Sequence, residues 1–405
     1  MTTPPLPTPS PLIDLFRLDP TVVYVNHGSF GACPTQVVQA HQKYRDRVEA
    51  DAMRFYLYDL WPMVDLSRQA LAKIINAQAA DLVFVNNATT AVATVLHNLK
   101  LEPGDEMIVT DLEYPACTNN FDFVAHQTGA KVIVAQIQWE AICEDSIVDA
   151  IMSKTTDRTK LVLISLITSA TAVRMPIERI IRELKALGIE TLLDAAHGPG
   201  CVPIDIDNWG AAYTTGNGHK WLCSPKGVAF LHVRNDLQNG FRPMVLSNHA
   251  QSLEAACTRT KRSAFNHEFD YMGTDDRTGV LSIVDSIAFL QGVLPGGLTQ
   301  VMEHNRNLCL QARDLLCEMF GTKPIVPDSM LGPLAVIDVP ATTMEPGVLR
   351  ELLFANHRIE TMIVWSPKGN GLMVRVSPQV YNSIEQYAYM GQAILTELKA
   401  FKNKA

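Results

Sequence analysis

LVLISLITSATAVRMPIERIIRELKALGIETLLDAAHG, residues Leu161 to Gly198, reads as a strand, a helix and a second strand in succession. LVLISLI and IETLLDA are nearly continuous apolar runs of strand length, and the segment from Pro176 to Leu187 between them has the period of an amphipathic helix. A strand that is apolar on both faces needs cover on both faces, and a helical crossover brings the chain back to start a parallel neighbour. The stretch is therefore one unit of an α/β fold.

The same rhythm extends outward in both directions. Upstream, LVFV (Leu82 to Val85) runs into ATTAVATVLHNL, and EMIVTD (Glu106 to Asp111) precedes the helical PACTNNFDFVAHQTG. KVIVAQI (Lys131 to Ile137) is then followed by a helix near Ser146 to Lys154, and downstream VAFLHV (Val228 to Val233) adds a further strand. This pattern predicts a mainly parallel sheet covered on both faces. After Asn235 the rhythm changes to an irregular stretch through Asp275. Helical segments follow near Arg277 to Leu294 and Leu298 to Phe320, then the strands LAVIDV, MIVW and LMVRVS, and a last helix from Ile384 to Lys402. With PGG at Pro295 to Gly297 as a hinge, the expected organisation is a large domain over 21–295 and a smaller α+β domain made of 1–20 and 296–405.

Composition limits the partners. The 405 residues are 47% hydrophobic and 19% charged, enough to bury a large core, and 34 Lys+Arg against 42 Asp+Glu give a formal charge of −8 with no basic block. Nucleic acid is not an expected partner. The opening MTTPPLPTPSPL has neither a basic start nor a long apolar stretch, and the longest apolar runs fall well short of the roughly 20 residues that span a bilayer. No membrane is expected, and the cytoplasm is the default location. The eight cysteines (Cys33, Cys117, Cys143, Cys201, Cys223, Cys257, Cys309, Cys317) form no CxxC pair and no His/Cys cluster at zinc spacing, so they read as reduced structural thiols and no metal site is expected.

The chemistry-bearing segment is YTTGNGHKWLCSPKG, Tyr213 to Gly227, which places Lys220 on a glycine-loosened turn 26 residues after Asp194. An amine to hold an aldehyde and a strand-end acid to keep a ring nitrogen protonated are the minimum equipment for pyridoxal phosphate chemistry. A phosphate needs a cradle, and FVNNATTAVATVL offers one. Asn86 and Asn87 turn a strand into a helix, so Ala88, Thr89 and Thr90 occupy a first turn whose free NH groups favour an anion. Ordinary capping is the commoner explanation of the same residues. Other cradles fail: there is no GxxxxGK[ST] loop, no dinucleotide fingerprint and no GxSxG elbow.

VNHGSFGACP (Val25 to Pro34), NATTAV, LLDAAHGPG, TGNGHKWLCSPKG and VRVSPQVYN (Val374 to Asn382) together resemble the class V aminotransferase superfamily, and within it the isopenicillin N epimerase-like branch. The resemblance runs from about Tyr24 to Tyr381. It implies a fold-type I pyridoxal phosphate enzyme with a large domain, a mainly parallel central sheet and a smaller α+β domain, assembled as a homodimer with shared active sites. By resemblance Lys220 carries the cofactor as a Schiff base and shuttles the α-proton, while Asp194 holds the ring nitrogen. His197 lies beside the ring or its phenolic oxygen, and Thr168 and Ser169 are further contacts to that oxygen. Thr89, the backbone of Ala88 and Thr90, Thr215 and His219 bind the phosphate, joined from the partner subunit by Gly273 and Thr274. Tyr114 stacks on the ring. Arg375, a cation in the apolar run LMVRVS, grips the α-carboxylate of an amino acid substrate, with Asn26 and His27 lining the same pocket.

Departures from the family pattern are informative. A family stretch that often reads DHVTS is here Ser165-Leu166-Ile167-Thr168-Ser169, without the acid and the histidine, and no cysteine lies between Leu331 and Asn382. That absence disfavours persulfide chemistry. The reactions left open share removal of the α-proton: epimerisation, the expected outcome by resemblance, with His27 as a second proton donor; β-elimination from a cysteine conjugate or its sulfoxide, in which Lys220 alone serves as base; and transamination. A non-catalytic sensor of pyridoxal phosphate or an amino acid is the alternative of another class.

Overall fold

The computed structural model describes residues 5–250, 262–369 and 371–403; Cys257 and part of the irregular stretch before Asp275 lie outside them. The first strand, β1 (Val23–Tyr24), runs parallel to Ile359–Glu360 from the far end of the chain. The next seven are β2 (Leu82–Val85), β3 (Glu106–Thr110), β4 (Lys131–Ala135), β5 (Thr159–Ser165), β6 (Glu190–Asp194), β7 (Tyr213–Asn217) and β8 (Ala229–Val233), in one sheet of order β2-β8-β7-β6-β5-β3-β4.

Within this sheet β8 is antiparallel to β2 and β7, and all other pairs are parallel. The exception has a plain cause. Between β7 and β8 there is only the lysine loop and no crossover helix, so the chain must return antiparallel. Every other strand therefore ends on one edge, and the loops after β2, β3, β5, β6 and β7 converge there. The amphipathic helices predicted from sequence cover both faces. Ile177–Ala186, for instance, buries Ile177, Ile180, Ile181 and Leu184, each side chain contributing about 1.5–3 kcal/mol of gross burial free energy.

Beyond the sheet, the helix expected near Arg277 to Leu294 forms as two pieces, Thr278–Leu281 and Ile283–Gly292. The Ser282 hydroxyl at the break donates to the Thr278 carbonyl at 2.9 Å, competing with the helix ladder. At the PGG segment the chain bends by 70° into the long helix Gly297–Phe320, with Gly297 at φ +65°. The last strands are β9 (Ala335–Asp338), β10 (Ile359–Glu360), β11 (Met362–Trp365) and β12 (Leu372–Val376). The order β11-β12-β9 makes a three-stranded antiparallel sheet that packs on Gly297–Phe320. Among the described residues, no single helix is long and apolar enough to cross a membrane.

Candidate active site

The converging loops enclose a cavity of about 220 Å³ at the carboxyl edge of the sheet, lined among others by Thr89, Tyr114, Ser165, Asp194, His219 and Lys220. The lysine sits where the NHGSFG turn crosses it. A Cβ on Gly31 would lie 2.2 Å from the Lys220 carbonyl oxygen, so only glycine lets the two backbones approach this closely. Burial, and then the charge of Arg375, push the Lys220 ammonium down to about 8.

Hydrogen bonding biases that lysine toward its neutral form. Trp221 Nε1 donates to His197 Nδ1 at 3.1 Å, and an indole can only donate, so Nδ1 is the acceptor nitrogen. Burial holds the His197 imidazole well below its usual range, hence neutral, and its proton is on Nε2. Nε2 lies 3.1 Å from Lys220 Nζ. Lys220 can accept this hydrogen bond only through a lone pair, so the contact favours its neutral form, which prevails above about pH 8.

Asp194 ends β6 at the floor of the cavity, where Ala196 N donates to Oδ1 at 2.9 Å and the Cys117 thiol to Oδ2 at 3.4 Å. Burial raises its carboxyl above the usual range, while the nearby Lys220 acts in the opposite sense. At the opposite wall the helix Ala88–Asn98 begins. The Asn87 side chain caps it through Thr90 N at 2.8 Å, and Asn217 Oδ1 accepts from Ala88 N at 3.0 Å. Of the three residues in this first turn, Thr89 alone keeps both its NH and its hydroxyl without a partner among the described residues. His219, also on the wall, has a buried Nδ1 without a partner, and burial lowers its imidazole to about 4.

Arg375, on β12 and 1% exposed, donates to Asn26 Oδ1 at 2.9 Å, Ser29 Oγ at 2.7 Å and the Ser169 carbonyl at 2.5 Å. Its Nε has no partner, and among the described residues no carboxylate pairs with it. Burial pushes the guanidinium down to about 10. A fully buried cation held by neutral acceptors is costly until an anion joins it.

Several expected residues stand elsewhere. His27 is fully buried outside the cavity lining, with Nδ1 2.9 Å from Tyr381 Oη and Nε2 3.1 Å from the Lys220 carbonyl; burial lowers it to about 3. It ties the N-terminal turn to the lysine loop. Thr168 spends its hydroxyl on Thr171 Oγ1 at 2.6 Å and Val173 N at 2.8 Å, and Thr215 donates to the Phe230 carbonyl on β8 at 2.7 Å; neither lines the cavity. Thr90 is engaged with its cap. Thr274 is exposed and 3.0 Å from Tyr271 Oη, away from the cavity of its own chain. Tyr114, at the N-terminus of the helix Pro115–Thr128, does line it.

Two residues escaped the sequence reading. Asn217 reaches the cavity wall from the glycine-rich turn, and its position between two glycines just before the lysine was the available signal. Glu113 lies buried behind the wall against Ser165, and nothing in EYPA distinguishes it from a surface acid.

This donor set fits pyridoxal phosphate. A buried amine of lowered basicity, a buried carboxylate and a helix N-terminus with free polar atoms of Thr89 and His219 beside it correspond to aldehyde, ring nitrogen and phosphate. Arg375, with no carboxylate partner among the described residues and its Nε free, leaves an anion site for a substrate.

A family model described as aminotransferase class-V matches residues 24–386. The chain is 29% identical to a probable L-cysteine desulfhydrase, chloroplastic, of Arabidopsis thaliana, over 93% of this chain and 83% of that one. It is 28% identical to isopenicillin N epimerase of Streptomyces clavuligerus, over 93% and 95%. A solved structure of C-DES, a cystine C-S lyase, in a lysine-to-alanine mutant with glycine covalently linked to its PLP cofactor, superposes with a TM-score of 0.79 at 17% identity, covering 95% of this chain and 99% of that one. At that identity the likeness is one of fold.

Proposed function

Because the chain belongs to the class-V aminotransferase family, a pyridoxal phosphate-dependent group, we propose that it is a carbon-sulfur lyase acting by β-elimination on a cysteine-type amino acid. The observation that carries this reading is the sequestration of His27. Epimerisation calls for a second proton donor facing the lysine, and the histidine expected in that role has both nitrogens engaged outside the cavity. Elimination needs one base only, and Lys220 supplies it.

The cofactor, when bound, supplies an electron sink that makes the proton at the substrate's Cα acidic. The chain's own groups do the rest. Thr89, Asn217 and His219 would hold its phosphate, Asp194 its ring nitrogen, and Tyr114 would flank its ring. Arg375, steadied by Asn26 and Ser29, would take the substrate carboxylate in the fork geometry that suits a guanidinium, which fixes Cα relative to the amine of Lys220. That amine, its basicity lowered by burial and Arg375 and its neutral form favoured by His197, takes the proton from Cα and can return it to the departing sulfur. In the net reaction the Cβ–S bond breaks, the thiol leaves with a proton, and one water converts the remaining three carbons to pyruvate and ammonium.

The epimerase reading stays as the second, supported by the similarity to isopenicillin N epimerase over nearly the whole of both chains. Incubating the cofactor-loaded protein with L-cysteine and S-substituted cysteines in deuterated water separates the two. Pyruvate, ammonia and thiol in equal amounts are expected. Deuterium at Cα with inversion and no keto acid would overturn the lyase reading.

A further inference from the structure

Behind the cavity wall, Glu113 is buried against the ends of β3 and β5. Its Oε1 accepts from Thr110 Oγ1 at 2.9 Å and Ser165 N at 3.2 Å, and Oε2 lies 2.5 Å from Ser165 Oγ. Among the described residues no cation pairs with it. Ser165 is the residue through which this carboxyl reaches the site: it lines the cavity, and its backbone is in register with Asp194 on the neighbouring strand. The side chains facing Glu113 are Thr110 on β3, Ser165 on β5 and Asp194 on β6, with Cys117 on the helix Pro115–Thr128 and Lys220 beyond Asp194.

We propose that Glu113 is a positioning residue that acts through the Ser165 hydroxyl to set the hydrogen-bonding sense of the cavity wall beside Asp194. This rests on the cofactor reading above, since Asp194 is the group that would face the ring nitrogen. When Glu113 is ionised, Ser165 Oγ donates to it and presents lone pairs to the cavity. When Glu113 is protonated, it donates to Ser165 Oγ, and the serine proton is free to turn into the cavity. One hydroxyl thus changes from acceptor to donor with the state of an acid that never touches the cofactor. Burial pushes the Glu113 carboxyl up to about 7, so the change falls near neutral pH. A carboxyl kept only to tie β3 to β5 would not need to titrate there.

The test is a spectrophotometric pH titration of the cofactor bound at Lys220, in wild type, Glu113→Gln and Ser165→Ala. Removing a nearby negative charge disfavours cationic forms, so Glu113→Gln is expected to move the spectral midpoint to lower pH by about half a unit or more. Ser165→Ala should also shift the midpoint, and the double variant should add nothing further, because both substitutions interrupt one path. Midpoints identical to wild type in folded, cofactor-loaded variants would overturn the proposal and leave a structural tie. Should Glu113→Gln fail to fold, Ser165→Ala, which keeps the backbone link, decides alone. A wild-type protein that forms no absorbance band with the cofactor would overturn the cofactor reading itself, and this proposal with it.

Discussion

Lys220 Nζ lies 3.1 Å from His197 Nε2, and only a neutral lysine can accept a hydrogen bond from that nitrogen. Trp221 imposes this by occupying Nδ1 from the other side. Trp221→Phe would release the constraint, letting His197 turn its lone pair toward an ammonium. The apparent midpoint for reaction of Lys220 with the cofactor aldehyde should then rise by about half to one unit, measured as the pH dependence of the rate at which the bound chromophore forms. An unchanged midpoint would mean that burial and Arg375 alone lower the amine's basicity.

Burying that amine costs stability. Its pKa falls from 10.5 unfolded to about 8 folded, so the unfolded chain binds the proton more tightly. The penalty is present in full below pH 8 and disappears as pH rises through 10.5. Lys220→Met should therefore stabilise the cofactor-free protein near pH 7 by on the order of 3 kcal/mol, with the gain shrinking above pH 8. Denaturant unfolding of both proteins across that range checks the sign.

Arg375 presents the same trade in another form. Arg375→Met removes a buried cation that has only neutral partners, so thermal stability should hold or rise. Substrate binding should weaken by roughly 1.5–3 kcal/mol, tenfold or more in KM, for loss of a charge-assisted carboxylate contact. A fall in stability with no change in KM would assign the arginine to structure.

Gly31→Ala tests the crossing of the two loops. With 2.2 Å between the added Cβ and the Lys220 carbonyl oxygen, one backbone must move. A loss of about 1–3 kcal/mol of stability is expected, with faster release of cofactor, since the loop that moves carries the lysine. Unfolding curves and cofactor retention on a sizing column report the two effects separately.

Much of this was legible in the chain itself. The α/β core follows from apolar runs such as LVLISLI alternating with amphipathic helices, and Lys220, Asp194, Thr89 and Arg375 all stand at the cavity or directly behind it. The expected residues that stand away from the cavity share a cause. Thr168, Thr215 and His27 carry suitable atoms, but a neighbour consumes each of them: Val173, Phe230 and Tyr381 lie on turns or strands whose approach no local pattern encodes. Glu113 was missed for the converse reason, because a carboxyl becomes conspicuous only once its burial is known.

The pairing of β1 with β10 and the grip of Asn26 and Ser29 on Arg375 join segments about 350 residues apart. During synthesis the lysine and its aspartate leave the ribosome long before the arginine does, so a nascent chain holds the cofactor residues well before it holds the substrate clamp. Contacts of such high sequence separation form late and slowly. The amino acid site is thus the last part of the molecule to be completed.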